Sequence, residues 1–460
     1  MSRFRMWFAS AIGLLTLLIL AVVLVGLFGR LAGPVVPSQA MTPTRLASAA
    51  TATSLPYPPP SSPTPQPPPV GTPTVAPTPI PTFTPVPSPT PVPPPTPVTL
   101  PTGPLPPGLK IVCVDAADDG ATSLIWVANV ANLADKRQVA QIRNLAGRFW
   151  PYAWVSPDGR RVAYLLPSKY RGNSWLGVVN IDGTEHTVLD EKAFDQGPYS
   201  LRWSSDSRYI AYIHCEPGAK LDECRMELSM IEASGQGRRT LAGGLHPYLI
   251  GWAKDGHTLY YTIPDWSLWS VNVDETSSAS VQVARLTGSG AYDMRLSPDG
   301  TRFLYSTRAS REQWNQWLVN VVDVSDETQR NLIPSIASTD FADANYKPAP
   351  VWLPDSANVT YSQPMGRDHA ELRTIGLHAS SSTLLKETGG GYYEPLAWSP
   401  DGKFLAALWR GVAKTQGGEE TFHLGLLSPD GRVQQVDSIN SYFVAPRFHP
   451  LFAGWIEDQR

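Results

Sequence analysis

One four-residue bend returns six times in this chain at a near-regular spacing. It reads SPDG at 156–159, SSDS at 204–207, AKDG at 253–256, SPDG at 297–300, LPDS at 353–356 and SPDG at 399–402. The aspartates Asp158, Asp206, Asp255, Asp299, Asp355 and Asp401 are therefore 48, 49, 44, 56 and 46 residues apart. A catalytic loop has no reason to recur at that period, whereas a structural hairpin does. Proline suits position i+1 of a type I turn, and aspartate suits i+2. Glycine then takes the positive φ that closes the loop with a bulge. Ser207 and Ser356 replace that glycine, at an expected cost of about 1 kcal/mol each.

The flanks of each bend read as strands. Four residues after the aspartates stand Val162, Ile210, Leu259, Phe303, Val359 and Leu405. Six residues after stand Tyr164, Tyr212, Tyr261, Tyr305 and Tyr361, with Ala407 in the last copy. These two positions share one face of a strand. Three residues before the aspartate, Trp203, Trp252, Trp352 and Trp398 end the preceding strand, with Trp154 one place earlier in its copy. This column reads as packed core between sheets; a sugar-stacking platform is the sharper alternative. Two more strands follow in each copy, as in LGVVNIDGTEHTVL at 176–189, where an apolar run, a D-G turn and a returning strand succeed one another. Each unit is thus four strands with no amphipathic helix. Four strands at a period of roughly 40–50 residues make a β-propeller blade.

Seven copies of about 49 residues would fill about 343, and Leu109 to Glu457 spans 349. The expected fold is an all-β, seven-bladed propeller of four-stranded antiparallel blades, with six blades as the alternative. The opening unit lacks a leading Trp strand. The tail SYFVAPRFHPLFAGWIEDQR would supply it, with a degenerate bend at His449-Pro450. The W-S-P-D-G-x-x-Φ-x-Y repeat resembles the WD40-like repeat of TolB-type propellers, and related blades occur in the propeller domains of prolyl oligopeptidases. The resemblance covers about three quarters of the chain. It implies a propeller that works by protein–protein contact in the cell envelope, but the separate N-terminal α/β domain of TolB has no counterpart here.

What stands before the propeller is different. Met6 to Phe28 is 23 residues without a charge, enough to cross a bilayer core of about 30 Å as a helix. A cleaved signal has a shorter apolar core, of about 7–15 residues, so residues 1–32 read as a retained signal-anchor. Cleavage near Ala40, after Ser38-Gln39, is the alternative. Arg3 and Arg5 precede the span while Arg30 and Arg45 follow it. The short tail and free amino terminus favour a cytoplasmic N-terminus with the propeller outside. Residues 33–108 hold 28 of the 46 prolines and a single charge, Arg45. Proline fixes φ and removes a backbone donor. This Pro/Thr-rich linker is therefore expected to be disordered or polyproline II, extended at about 3.1 Å per residue. The propeller is expected over 109–460.

Signals for chemistry are weak. The charge is balanced, 37 basic against 40 acidic residues, so no nucleic-acid surface is expected. A nucleophile elbow needs G-x-S-x-G; GNSWLG at 172–177 has its second glycine one place late. There is no H-E-x-x-H and no phosphate-cradling P-loop. DAADDGAT at 115–122 lacks the calcium-loop pattern and reads as a hairpin tip. Asn358 opens a formal glycosylation sequon on a strand. Of three cysteines, Cys215 and Cys224 lie at the end of one strand and the start of the next. A hairpin would bring them into a disulfide, which suits an oxidising compartment. Cys113 reads as a buried thiol. No catalytic, cofactor or metal residue is assigned and no cofactor is expected. The expected role is a non-enzymatic module binding an envelope or extracellular protein. A glycan or peptidoglycan ligand, motivated by 15 Trp and 17 Tyr, is one alternative. A lyase or hydrolase with carboxylates converging at the channel mouth is the other.

Overall fold

The computed structural model describes residues 107–116, 122–143, 152–167, 174–217, 224–244, 246–274, 279–310, 312–313, 315–337, 346–411, 422–437 and 451–458. Contacts divide the chain into Met1–Pro87 and Ser88–Arg460, and every described residue belongs to the second unit. The span expected at 1–32, the linker expected at 33–108 up to its last two residues, and the bend expected at His449-Pro450 lie outside the described residues. No helix among the described residues is long and apolar enough to cross a membrane, so the expected membrane helix finds no support in them.

Strands make up the described residues, with one 3-10 turn at Gly197–Tyr199. The domain opens with β1 (Lys110–Ala116), β2 (Thr122–Asn129) and β3 (Asn132–Arg143). Two meanders follow: β4 (Tyr152–Val155), β5 (Arg161–Pro167), β6 (Ser174–Asn180) and β7 (Thr187–Ala193), then β8 (Leu201–Trp203), β9 (Tyr209–Pro217), β10 (Cys224–Glu232) and β11 (Arg239–Gly243). Next come β12 (Tyr248–Trp252), β13 (Thr258–Thr262), β14 (Ser267–Asn272) and β15 (Val281–Arg285). β16 (Ser289–Leu296), β17 (Arg302–Arg308), β18 (Gln316–Asp323) and β19 (Gln329–Ala337) form another sheet. So do β20 (Val351–Trp352), β21 (Asn358–Pro364), β22 (His369–Gly376) and β23 (Thr383–Gly389). The last meander is β24 (Gly391–Trp398), β25 (Leu405–Gly411), β26 (Phe422–Leu427) and β27 (Val433–Val436). Finally β28 (Leu451–Ile456) pairs antiparallel with β1, so the two ends of the domain share one sheet.

The blade count differs from expectation. Five sheets are separate four-stranded antiparallel blades, where seven, or alternatively six, were expected. The remaining eight strands form one sheet, ordered β11-β10-β9-β7-β6-β5-β4 with β8 on β9. The cause is local. β7 runs on to Ala193, whose backbone pairs with His214 on β9, and this one pairing joins two meanders that the repeat alone would keep apart.

Both faces of the second strands are buried, because each four-stranded meander packs between two others. Val162 and Tyr164 enter a cluster with Val112, Val114 and Ile125 of the opening sheet. Their neighbours Ala163 and Leu165 pack the other way, against Trp203, Ile210 and Tyr212. The same alternation continues with Ala211 and Ile213 against Leu259 and Tyr261. At the far side Leu424, Leu426 and Val436 pack on Ile111, Cys113 and Trp126, which closes the ring. The leading strands touch their counterparts, β28 with β4, β4 with β8, β8 with β12, β12 with β16 and β20 with β24, and so form the inner wall.

Tryptophan holds successive units together. Trp203, Trp252, Trp352 and Trp398 are all less than 9% exposed, which sets aside the sugar platform for this column. Each indole also donates to the preceding unit. Trp203 Nε1 reaches the Trp154 carbonyl at 2.9 Å, Trp252 the Arg202 carbonyl at 3.3 Å and Trp352 the Arg295 carbonyl at 3.4 Å. Trp398 uses the Thr360 hydroxyl at 3.0 Å instead. Trp455 on β28 reaches the Ala397 carbonyl at 3.3 Å across the closure.

Candidate functional site

The recurring aspartates sit in the links from leading to second strand. At 156–159 Ser156 Oγ donates to Asp158 Oδ1 at 2.5 Å, and that oxygen accepts the Arg160 amide at 3.0 Å. Asp206, Asp299 and Asp401 do the same with Ser204, Ser297 and Ser399. Asp255 and Asp355 lack that serine and each accept two successive amides, from His257 and Thr258 and from Ala357 and Asn358. Burial would raise the Asp206, Asp299 and Asp401 carboxyls. Their serine and backbone hydrogen bonds outweigh it and hold all three below the ordinary value. These carboxylates serve their own turns.

The opposite end of the ring carries the starts of the leading strands and the links between second and third strands. Cys215 and Cys224 lie there, on β9 and β10, disulfide-bonded with Cα atoms 5.4 Å apart. Cys113 is a buried free thiol, its pKa pushed well up, chiefly by burial.

An arc of aromatic rings lines this second end. Tyr199 meets Tyr248 edge-on at 6.1 Å between ring centres, and Tyr248 stacks with Trp266 at 6.2 Å. Trp266 reaches Tyr292 at 6.4 Å, and Tyr292 meets Trp317 edge-on at 5.4 Å. Two cations cover ring faces: Lys347 Nζ lies 5.4 Å over the centre of Tyr292, and the Arg308 guanidinium 5.0 Å over that of Trp317. Tyr199, Tyr248, Trp266 and Tyr292 are half-buried, while Trp317 is buried. Trp266 holds a positive φ of 62°, a strained conformation for a bulky residue that turns its indole at this link.

Beneath the arc, charged groups converge on the inner wall. Arg202 on β8 and Arg295 on β16 occupy equivalent positions, four residues before Asp206 and Asp299. Arg202 ties β8 to its surroundings, with Nε on the Ile250 carbonyl at 2.7 Å and Nη1 on the Pro198 and Leu201 carbonyls. Burial, helped by the charge of Arg295, pushes its pKa down to about 10. The Arg295 Nε is buried without a hydrogen-bond partner. Asp293, at a positive φ of 52°, accepts from Ser306 Oγ at 2.8 Å. Burial raises its carboxyl pKa, against the pull of Lys347, Ser306 and Arg295. Glu394 is paired with Arg410 at 2.7 Å. Tyr199, whose hydroxyl accepts the Met294 amide at 3.3 Å, is pushed up to about 12, mainly by burial. Among the described residues no cluster of His, Cys, Asp and Glu could hold a metal ion.

None of these residues was singled out in the sequence, although a signal was present. Tyr199, Tyr248 and Tyr292 each stand seven residues before their unit's aspartate, in three consecutive units. At minus four, where other units carry Trp154, Gly251, Val351 and Ala397, two units carry arginine. Gly251 lies between the two arginine-bearing strands, and Leu296 packs 3.5 Å from where a side chain there would begin.

No protein-family model matches this chain, and no curated protein does. Among solved structures it is similar to TolB from Acinetobacter baumannii, with 15% identity over 58% of this chain and 61% of that one, and a TM-score of 0.40. The chain therefore spans less than two thirds of that TolB. It is also similar to an oligogalacturonate lyase from Vibrio parahaemolyticus, with 14% identity over 68% and 90% of the two chains and a TM-score of 0.43. The β-propeller domain of the Trilobed protease from Pyrococcus furiosus gives 13% identity over 72% and 95%, and a TM-score of 0.46.

Proposed function

We propose that this propeller is a non-enzymatic binding module that takes a protein partner at its aromatic mouth, displayed outside the cytoplasm by an N-terminal anchor and a proline-rich tether. The arc from Tyr199 to Trp317 is the observation that carries this reading. Tyrosine, tryptophan and arginine are the side chains that dominate protein interfaces. A sugar platform needs an open ring face, whereas these rings stack on one another or lie under Lys347 and Arg308 and offer mainly their edges. The carboxyls nearest the channel are engaged, Asp293 by Ser306 and Glu394 by Arg410, which speaks for binding over hydrolysis. An outside location is supported by the uncharged run Met6–Phe28 and by the bonded pair Cys215–Cys224.

The test is site-specific crosslinking from the full chain in its membrane. A photoreactive side chain at Tyr248 should capture one protein, and the same group at Lys403, on the bend face, should not. Tyr248→Ala with Trp266→Ala should lower the capture at least tenfold. Equal capture from both faces, or capture of glycan alone, would overturn the reading.

A further inference from the structure

We infer that the partner inserts an acidic peptide segment into the mouth, and that its carboxylate is received by Arg295, with Arg202 and Lys347 supplying field. The inference rests on the mouth being the binding face. Its basis is an unspent cation. Arg295 makes no hydrogen bond or ion pair through its side chain among the described residues, and its Nε is shut off from solvent. Arg295 is half-buried, and one dry nitrogen left unpaired is costly to the fold unless something completes it. Arg202, close enough for their charges to repel, cannot be that partner.

The surrounding charges decide the ligand's sign. Arg202, Arg295 and Lys347 face one carboxyl without a salt-bridge partner, Asp293, while Glu394 is paired with Arg410. Asp293 can offset only one of these three charges, and Ser306 already donates to it. An inserted group must therefore be anionic. Arginine's planar fork suits a carboxylate. The rim of tyrosine edges and one indole fits an extended peptide backbone carrying that carboxylate.

Binding of a fluorescent, N-acetylated hexaglutamate peptide to the full chain tests this. Wild type should bind it and ignore hexaglutamine. Arg295→Gln should weaken binding at least tenfold, Arg295→Lys should restore part of it, and higher salt should weaken it. Arg202 is left unchanged because it braces β8. If Arg295→Gln fails to fold, Lys347→Gln at the rim should still weaken binding several-fold. Equal binding of hexaglutamine, indifference to both substitutions, or preference for a carboxylated oligosaccharide of equal charge would overturn the inference. The two readings fail separately. A partner crosslinked at Tyr248 but unaffected by hexaglutamate and by Arg295→Gln would end the acidic-segment inference alone. Arg295-dependent hexaglutamate binding without a crosslinked protein would end the partner reading instead.

Discussion

His214 Nδ1 lies 2.6 Å from Asp190 Oδ2, directly beside the one backbone pairing that joins β7 to β9. The same carboxylate oxygen accepts the Tyr212 hydroxyl at 2.5 Å, and His214 Nε2 reaches Glu216 at 2.9 Å. The His214 ring is 3% exposed and the Asp190 side chain 9%. Burial would lower the His214 pKa, but its bonds to Asp190 and Glu216 outweigh it and the net shift is upward. Asp190 is the converse: burial would raise it, and its bonds to His214, Tyr212 and the Lys192 amide bring it below the ordinary value.

The joint should therefore contribute stability in a bounded pH window. A raised histidine stabilises fully below its unfolded pKa of about 6.5, and the contribution fades as pH climbs through the folded value. A depressed aspartate stabilises above its unfolded value of about 3.9, and the contribution fades as pH falls through the folded value. His214→Asn is expected to cost about 3 kcal/mol at pH 5–6, as for a buried pair broken on one side. The cost should shrink toward pH 9 and below pH 3. Urea unfolding of both chains across that range would show it, and a pH-independent difference would mean the histidine is only packing.

The indole latches give a second prediction. Trp203→Phe removes the bond to the Trp154 carbonyl, which should cost about 0.5–1.5 kcal/mol. Trp269 is the counterexample, since its Nε1 is buried with no partner. Trp269→Phe deletes an orphan donor, so its unfolding midpoint should fall by less than half as much. Equal losses in the two variants would assign the effect to ring packing alone.

Much of this fold is legible along the chain, because the constraint repeats. The aspartate bends and the tyrosines six residues beyond them locate β5, β9, β13, β17 and β21. What the repeat hides is where one unit departs from the others. Nothing in TVLDEKA says that Ala193 will pair with His214, since the merger depends on how two blades lean together. The candidate site is hidden for a similar reason. Arg202 and Arg295 read separately as solvated charges on short strands, and only the closed ring brings them to one wall. The tyrosine column at minus seven was visible, but the more conspicuous tryptophans at minus three proved to be core.

Ser207 and Ser356 look like defective glycines, and the structure assigns them a second task. Both hold positive φ, 61° and 55°. Each hydroxyl also accepts the amide of the preceding unit's aspartate, Asp158 and Asp299, at 3.0 Å. Ser207→Gly should therefore bring no gain, because relief of about 1 kcal/mol of backbone strain is offset by a lost hydrogen bond of similar worth. Ser207→Ala keeps the strain and loses the bond, and should cost about 1–3 kcal/mol. Glu327, exposed at a φ of 62°, makes no side-chain bond among the described residues, and Glu327→Gly should gain up to about 1 kcal/mol. Chemical denaturation of the three variants checks the order; a stabilised Ser207→Gly would show that the inter-unit bond contributes nothing.

The cysteines divide by chemistry as well as by place. Cys215 and Cys224 close a link with a sequence separation of 9, so reducing the bond, or Cys215→Ser with Cys224→Ser, should cost about 2–3 kcal/mol. Cys113 is fully buried, and burial followed by the charge of Asp115 raises its thiol pKa despite Lys136 nearby. Its thiolate is thus doubly suppressed, by desolvation and by inaccessibility. Thiol labelling of the folded, oxidised chain should find no fast-reacting group, mild reduction should expose two, and urea should release the third. A thiol that labels fast before reduction would place Cys113 in contact with solvent, or leave the Cys215–Cys224 pair open, and alkylation mapping would tell which.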